Sequence, residues 1–281
     1  MGNPYFIDEP AAISFSGGRT SAYMLYKILE AHGGTLPEYV KVTFANTGKE
    51  MPQTLDFVRD CGEQWDVDIA WIELGGYSQH GFYESGRHKG KPIFKPETKI
   101  VNYETASRIG QPFEHLINHK KFLPNPSARV CTIELKIMPI ERYMGCEYTT
   151  IVGIRADEPR RAVKQKAKDN YLAPLFDAGV TIKDVKDFWG DQPFDLELPT
   201  MPNGVCNLSN CDLCFLKGSG IKISIVEHQP SLADWWIKQE EKIGSTFRSD
   251  QPSYEQFKGI AATQTNLFAF DDESIPCFCG D

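Results

Sequence analysis

The stretch Ala11-Ala12-Ile13-Ser14-Phe15-Ser16-Gly17-Gly18-Arg19-Thr20-Ser21 decides the fold. Residues 11–16 read as a short buried strand, and two glycines break it. From Thr20 to Ala31 apolar residues recur at helical spacing, through Ala22, Leu25, Ile28 and Leu29. A strand, a glycine turn and a helix in that order bring free N–H groups and a helix dipole to one point. The glycines let an anion approach the backbone closely. The hydroxyls of Ser16, Thr20 and Ser21 add donors. A plain strand–helix turn is the alternative reading of these residues taken alone. The patterns G-x-x-x-x-G-K-[ST] and G-x-G-x-x-G are both absent.

Outward from this turn the rhythm continues. Residues 39–45 read as an alternating second strand, Pro52 opens a helix carrying Leu55, Val58 and Trp65, and residues 69–74 form a third strand. This β-α-β-α-β order predicts an α/β fold with a parallel, doubly wound sheet and ligands beyond the strands' C-terminal ends. Residues 75–129, rich in Gly, Pro and Lys, interrupt it and read as a flap insertion. A helix over 133–144, a strand over 149–154 and a helix over 181–189 capped by Thr181 follow. Residues 190–220 are turn-rich, and 231–243 is an amphipathic helix capped by Ser231. The expected organisation is an α/β nucleotide-binding unit at 1–225, with a cysteine cluster at 206–214, and a C-terminal helical segment and tail at 226–281.

The 281 residues carry 38 acidic and 30 basic side chains, a net charge of −8 that argues against generic coating of DNA. No apolar run approaches the roughly 20 residues of a membrane span. MGNPYFIDEP has neither the basic nor the apolar region of a signal peptide. The expectation is a soluble, cytoplasmic protein without a membrane partner; a homo-oligomer is left open.

Arg155, Arg160 and Arg161 follow a strand that should end near the site, and Arg129 stands beside Cys131. Planar guanidinium forks suit phosphate. Lys164, Lys166 and Lys168 read as a solvated helix face. Arg87, Lys89, Lys91 and Lys95 on the flap are placed to close over a ligand or to meet a nucleic-acid backbone. Histidines 80, 88, 115 and 119 read as surface or packing residues.

Eight cysteines in a reducing compartment do not read as four disulfides. Cys61 and Cys146 sit on apolar helical faces and read as core. Cys211 and Cys214 form a C-x-x-C, with Cys206 five residues before it and Cys131 80 residues before Cys211. Tetrahedral zinc, an iron–sulfur cluster and plain burial are all compatible with that spacing.

Ser16-Gly17-Gly18-Arg19-Thr20-Ser21 resembles the PP-loop, SGGxxS, of the adenine nucleotide α-hydrolase superfamily, which includes ATP pyrophosphatases, ATP sulfurylase small subunits, sulfonucleotide reductases and DndC-like sulfurtransferases. The resemblance recurs in register. Asn46-Thr47-Gly48-Lys49-Glu50-Met51-Pro52-Gln53-Thr54 is similar to DTGxxFPET. Gly153 to Arg161 is similar to GxRxxxSxxR, and Leu172 to Leu175 with Thr181 to Val185 is similar to the PL…T..DVW segment. Together these cover about residues 11–217 and point to the PAPS reductase-like group.

The resemblance implies an adenine nucleotide (PAPS, APS or ATP) held by Ser16, Gly17, Gly18, Arg19, Thr20, Ser21, Asn46, Thr47, Gly48, Arg129, Gly153, Arg155, Arg160 and Arg161. It also implies a 4Fe-4S cluster on Cys131, Cys206, Cys211 and Cys214, with zinc as the alternative. Cys277-Phe278-Cys279-Gly280 is similar to part of the ECGxH tail of the reductases, which makes Cys279 and Cys277 the candidate catalytic nucleophiles. Arg19-Thr20 stands where many ATP-using members have Lys-Asp, and Asn46 where they have Asp. Both departures remove negative charge, so Mg²⁺ is expected only if ATP is the substrate. The first activity implied is a sulfonucleotide reductase served by thioredoxin or glutaredoxin. An ATP-dependent sulfurtransferase acting on nucleic acid is the alternative, and a non-catalytic nucleotide-binding protein is the third. Gly17→Val is expected to abolish nucleotide binding while leaving the fold largely intact.

Overall fold

The computed structural model describes residues 2–145, 147–167, 170–200, 208–209 and 211–263. Cys146, Cys206, Cys277 and Cys279 lie outside the described residues. Strand β1 (Ala11–Ser14) leads into α1 (Arg19–Ala31), β2 (Val40–Ala45) into α2 (Pro52–Gln64), and β3 (Ile69–Phe82) into β4 (Pro92–Val101). Helix α3 (Gln111–Lys120) follows. Then α4 (Val130–Thr132) runs through a π turn (Ile133–Ile137) into α5 (Met138–Met144). Next come β5 (Thr149–Val152), α6 (Pro159–Lys166), β6 (Tyr171–Leu172), α7 (Pro174–Asp177) and α8 (Ile182–Gly190). Helices α9 (Ser219–His228), α10 (Leu232–Ile243) and α11 (Tyr254–Thr263) complete the described elements. The six strands lie in the order β4-β3-β2-β1-β5-β6. All neighbours are parallel except β3 and β4. The expected α/β sheet is present, and its strand order reverses at β1, between β2 and β5.

Helices cover both faces of the sheet. On one face Ile13, Val42 and Phe44 pack with Leu25, Ile28, Leu55, Val58 and Trp189. On the other, Ala12, Ala45 and Ile72 meet Ile140 of α5. This double cover corrects the expected alternation of β2, where Lys41 alone is exposed. Thr181 caps α8 as expected, and Asp184 completes a capping box. Ser231 precedes α10, but its side chain makes no capping hydrogen bond.

The flap is more regular than its composition suggests. Strand β3 continues past Leu74 to Phe82 and pairs antiparallel with β4 on the sheet's edge, with register shifts at Leu74/Gly76 and Gln79/Gly81. Glycines at those shifts and prolines on an edge strand hide the period-2 pattern from the sequence. Helix α3, also unforeseen, then packs back along β3.

A second core joins α3 and the end of β3 to the segment 211–216 and helices α9–α11. Leu74, Phe113, Leu116, Leu213, Phe215, Trp236, Tyr254 and Phe257 are buried in it. Glu240 ties its last layer together, accepting from the N–H of Phe247 at 3.1 Å and of Tyr254 at 2.9 Å. Burial raises the Glu240 pKa above the usual 4.5, against the lowering effect of those two N–H groups. The fold therefore favours the protonated form. That contribution is fully present below the unfolded pKa and is lost as pH rises through the raised folded value. The melting temperature of wild type relative to Glu240→Gln should accordingly rise as pH falls from neutrality toward 4.5. A pH-independent difference between the two would remove this assignment. Among the described residues no helix is long and apolar enough to cross a membrane.

Candidate functional site

A cavity of about 240 Å³ runs along one face of β1 and β5, from Ala12, Tyr148 and Thr150 to the glycine turn at the strands' C-terminal ends. Ser14, Ser16 and Ser21 form one wall, Val152, Gly153 and Ile154 another, and Lys136, Ile137 and Ile140 a third. Arg161, Lys164, Gln165 and Tyr171 close it from α6 and β6. This is the switch point of the sheet, where open α/β folds bind ligands.

The glycine turn is built as its sequence requires. Gly17 has φ +77°, a left-handed conformation that glycine adopts without penalty. Gly18 caps α1 with no side-chain hydrogen bond and no acidic residue in the first turn, so the helix end is left open to an anion. The Ser16 N–H donates to Ser21 Oγ at 3.2 Å, their hydroxyls are 2.8 Å apart, and Ser21 Oγ donates to the Gly18 carbonyl at 2.9 Å. Gly153 allows the tip of β5 to approach this turn: a Cβ there would lie 3.1 Å from the Ser21 Cα.

Of the basic residues expected at phosphates, Arg161 reaches the cavity while it pairs with Glu158. Arg155 does not line it. Its guanidinium donates to Thr20 Oγ1 at 3.0 Å and to Asp157 at 2.9 Å, which braces the turn from behind. Arg19 points away, into a two-pronged contact with Asp195 at 2.7 and 2.5 Å. Arg160 is exposed, and Arg129 donates to the Pro126 carbonyl at 3.3 Å; neither lines the cavity. Lys164, read from sequence as solvated, is exposed and also stands at the cavity's edge.

The Asn46–Glu50 loop serves a different site. Asn46 is fully buried; its amide donates to Glu73 at 2.6 Å and to the Ser107 carbonyl at 2.9 Å, and its oxygen receives the Gly48 N–H at 3.0 Å. Gly48, at φ +77°, leaves room for Gly110. The loop then grips the C-x-x-C segment. Glu50 forms a backbone bridge with Cys211, and Asp212 N–H donates to the Lys49 carbonyl at 2.8 Å. The buried Lys49 ammonium meets the Asp212 carboxylate at 2.7 Å, and Trp236 Nε1 donates to that carboxylate at 2.8 Å.

Cys131, Cys211 and Cys214 all line one small cavity of about 20 Å³, together with Thr47, Phe113, Phe215 and Trp236. The Thr47 hydroxyl lies 3.5 Å from Cys211 Sγ. Among the described residues no group of three or more His, Cys, Asp or Glu side chains is placed to hold a single metal ion. Cys61 is fully buried in the other core, and burial pushes its thiol pKa up.

Thr132 and Lys136 line both cavities. Lys136 also lies 3.9 Å from Glu50, whose carboxylate receives the Thr47 N–H at 3.0 Å. Sequence reasoning did not single out Lys136. The usable signal was its distance of five residues from Cys131. Both residues stand on the helix that runs through the π turn at Ile133–Ile137, and both line the cysteine cavity.

No family model matches the chain. It is 34% identical over 214 residues to the "Uncharacterized nin region protein ORF290" of Escherichia phage lambda, over 74% of this chain and 66% of that protein's own length. Among solved structures it is similar to phosphoadenylyl-sulfate (PAPS) reductase from Candida auris, determined as a phosphate complex. That match has 16% identity and a TM-score of 0.36, and covers 66% of this chain and 73% of the other.

Proposed function

We propose that this chain is a PAPS reductase-like enzyme that binds an adenine nucleotide in the larger cavity and carries out sulfur chemistry beside the cysteine site. The observation that carries this reading is the shared wall. Lys136 and Thr132 face both the cavity opened by the glycine turn and the cavity lined by three cysteines. A nucleotide's anionic end fits the open α1 terminus, Ser16, Ser21 and Arg161. Its base fits the apolar part formed by Ile137, Ile140 and Tyr171.

In the reductase reading, the Cys279 or Cys277 thiolate attacks the sulfonate sulfur of PAPS or APS. The S–O bond to the nucleotide breaks, and the nucleotide leaves with the bond's electron pair. The dithiol of thioredoxin or glutaredoxin then reduces the enzyme S-sulfonate and releases sulfite. Lys136 offsets the charge that grows on the leaving phosphate.

The presence of Cys131, Cys211 and Cys214 on the lining of one cavity supports an iron–sulfur group as the reading of the second site, because each thiolate of a 4Fe-4S cluster takes its own iron and the ligands need not converge on one point. Cys206 would be the fourth ligand. Such a group would supply a fixed charge beside Lys136 that tunes the site. At about 20 Å³ the cavity holds little more than one water. Loading must therefore move its walls outward.

Calorimetry with PAPS, APS and ATP on anaerobically purified protein tests nucleotide binding, and absence of binding to all three would end the proposal. Sulfite release from PAPS or APS without ATP marks a reductase. Pyrophosphate release from ATP only with a nucleic-acid acceptor marks the sulfurtransferase, which the exposed basic ribbon described below favours. Lys136→Ala should weaken nucleotide affinity by roughly 10- to 150-fold, the worth of one charged hydrogen bond. Affinity within about twofold of wild type would place the anion elsewhere.

A further inference from the structure

The β3–β4 ribbon has a composition unlike the rest of the chain. Between Tyr77 and Lys99 it carries five basic and two acidic side chains, in a protein with a net charge of −8. Arg87, Lys89, Lys91 and Lys95 are exposed at and near its tip, and none has an ion-pair partner among the described residues. Phe82, Tyr83 and Phe94 are exposed beside them at 58%, 45% and 44%. Large exposed aromatics grouped in one place on a soluble surface mark an interaction site.

Register sorts these side chains. Tyr77 is opposite Pro96, Gln79 opposite Phe94, and Phe82 opposite Pro92. Residues 92, 94 and 96 share one face of β4, so Tyr77, Phe94 and Phe82 share that face too. The shift between Gln79 and Gly81 keeps Phe82 in line, although it lies an odd number of residues from Tyr77. Without that shift Phe82 would turn to the opposite side. The aromatic stripe is extended by α3: His119 stacks on Tyr77 at 3.7 Å and meets Phe94 edge-on at 5.7 Å. Its inner end is an open groove lined by Tyr77, Phe94, His115, Asn118, His119 and Glu97. Tyr83 packs near His88 at the tip, 5.7 Å between rings. From Tyr77 to Phe82 the stripe runs roughly 17 Å, the length of a few nucleotides.

We infer that this ribbon is a binding surface for single-stranded nucleic acid. Bases stack on Phe82, Phe94 and the Tyr77–His119 pair, and phosphates meet Arg87, Lys89 and Lys91 at the tip. Bare aromatic faces require unpaired bases, because a duplex buries its bases' faces in its own stack. A second copy of the chain is the weaker occupant, since a symmetric contact would bring two basic tips together. The acidic groups at this surface are Glu84 near the tip, Glu97 in the groove and Glu134 behind Tyr77. Glu134 is already engaged by Lys120 at 2.6 Å and by the Tyr77 hydroxyl at 3.3 Å. No ribbon residue lines the nucleotide cavity, so the inference stands apart from the nucleotide reading.

The test is fluorescence anisotropy with a labelled oligothymidine of about 20 nucleotides and a duplex of the same length. Wild type should bind the single strand more tightly than the duplex. The triple variant Arg87→Glu/Lys89→Glu/Lys91→Glu should bind it at least tenfold more weakly and with a shallower salt dependence, by about 0.7 in slope per lost phosphate contact. Phe82→Ala/Tyr83→Ala/Phe94→Ala should lose roughly 5- to 100-fold with the slope unchanged. All replaced side chains are exposed, so both variants should keep the wild-type melting temperature and nucleotide affinity. No binding at about 100 μM, the weak limit of non-specific association, would overturn the inference. So would equal affinity for duplex, or variants that bind like wild type. Self-association abolished by the aromatic variant would replace it with a dimer contact.

Discussion

Replacing Gly17 with valine should cost about 2–5 kcal/mol of stability, the sum of a left-handed conformation forced on a side chain and overpacking. Gly17 sits at φ +77°, which a β-branched residue tolerates badly. A Cβ there would lie 2.7 Å from Thr54 Cγ2, 3.0 Å from Val58 Cγ2 and 3.3 Å from Phe44. Thr54 and Val58 belong to α2 and Phe44 to β2, all fixed in the main core. The expectation that this substitution spares the fold is therefore corrected: Gly17 serves packing behind the turn as much as any anion in front of it. Thermal unfolding should show a fall of about 2–4 °C for each kcal/mol lost. Gly153→Ala makes the useful contrast. Gly153 has no positive φ, and its added Cβ would press on the Ser21 backbone at 3.1 Å, at the cavity mouth. It should lower nucleotide affinity more than it lowers stability. A Gly17→Val protein that melts like wild type would refute the turn geometry described above.

The main sheet was legible because its signals are local. A strand, a glycine turn and a helix with apolar residues at helical spacing read correctly at 11–31, and Pro52 and Thr181 marked helix starts that the structure reproduces. The ribbon was not legible. Its glycines serve register shifts and its prolines lie on an edge, both of which imitate loop composition. At the site, residue type alone could not say which way a side chain points. Arg19 sits inside the motif yet turns to Asp195, whereas Lys164, three residues past Arg161 on α6, is exposed and borders the cavity. Asn46, expected at the nucleotide, donates its amide to Glu73 and to the Ser107 carbonyl instead. Lys136 was invisible because apolar periodicity does not mark which lysine of a helix lines a cavity.

Anaerobically purified protein should be brown, with broad absorption at about 400 nm and about four irons per chain, if the cysteine cavity holds a 4Fe-4S group. The structure makes the expected dependence on individual residues specific. Cys211→Ser and Cys214→Ser should each lose most of the colour, because both residues line the cavity and the two residues between them are anchored. Lys49 pairs with Asp212 on one side, and the Tyr254 hydroxyl donates to the Leu213 carbonyl at 2.5 Å on the other. That anchoring keeps the loop in place after a thiol-to-hydroxyl change, so lost iron would report lost ligation and not lost folding. Cys131→Ser should behave alike, since Cys131 lines the same cavity. Cys61→Ser should keep its iron, since Cys61 lies in the other core among Leu25 and Val58. Trp236 lies on the same cavity wall, with its indole N–H on Asp212. Loading should therefore quench tryptophan fluorescence in wild type and leave it unchanged in Cys211→Ser, a readout that needs no turnover. Colourless protein with one equivalent of zinc would move the assignment to a structural metal. Colourless, metal-free protein whose Cys211→Ser variant melts like wild type would reduce the three thiols to packing. Lys136 would then stand beside an apolar gap with no redox partner, and sulfur transfer would have to run without a cluster.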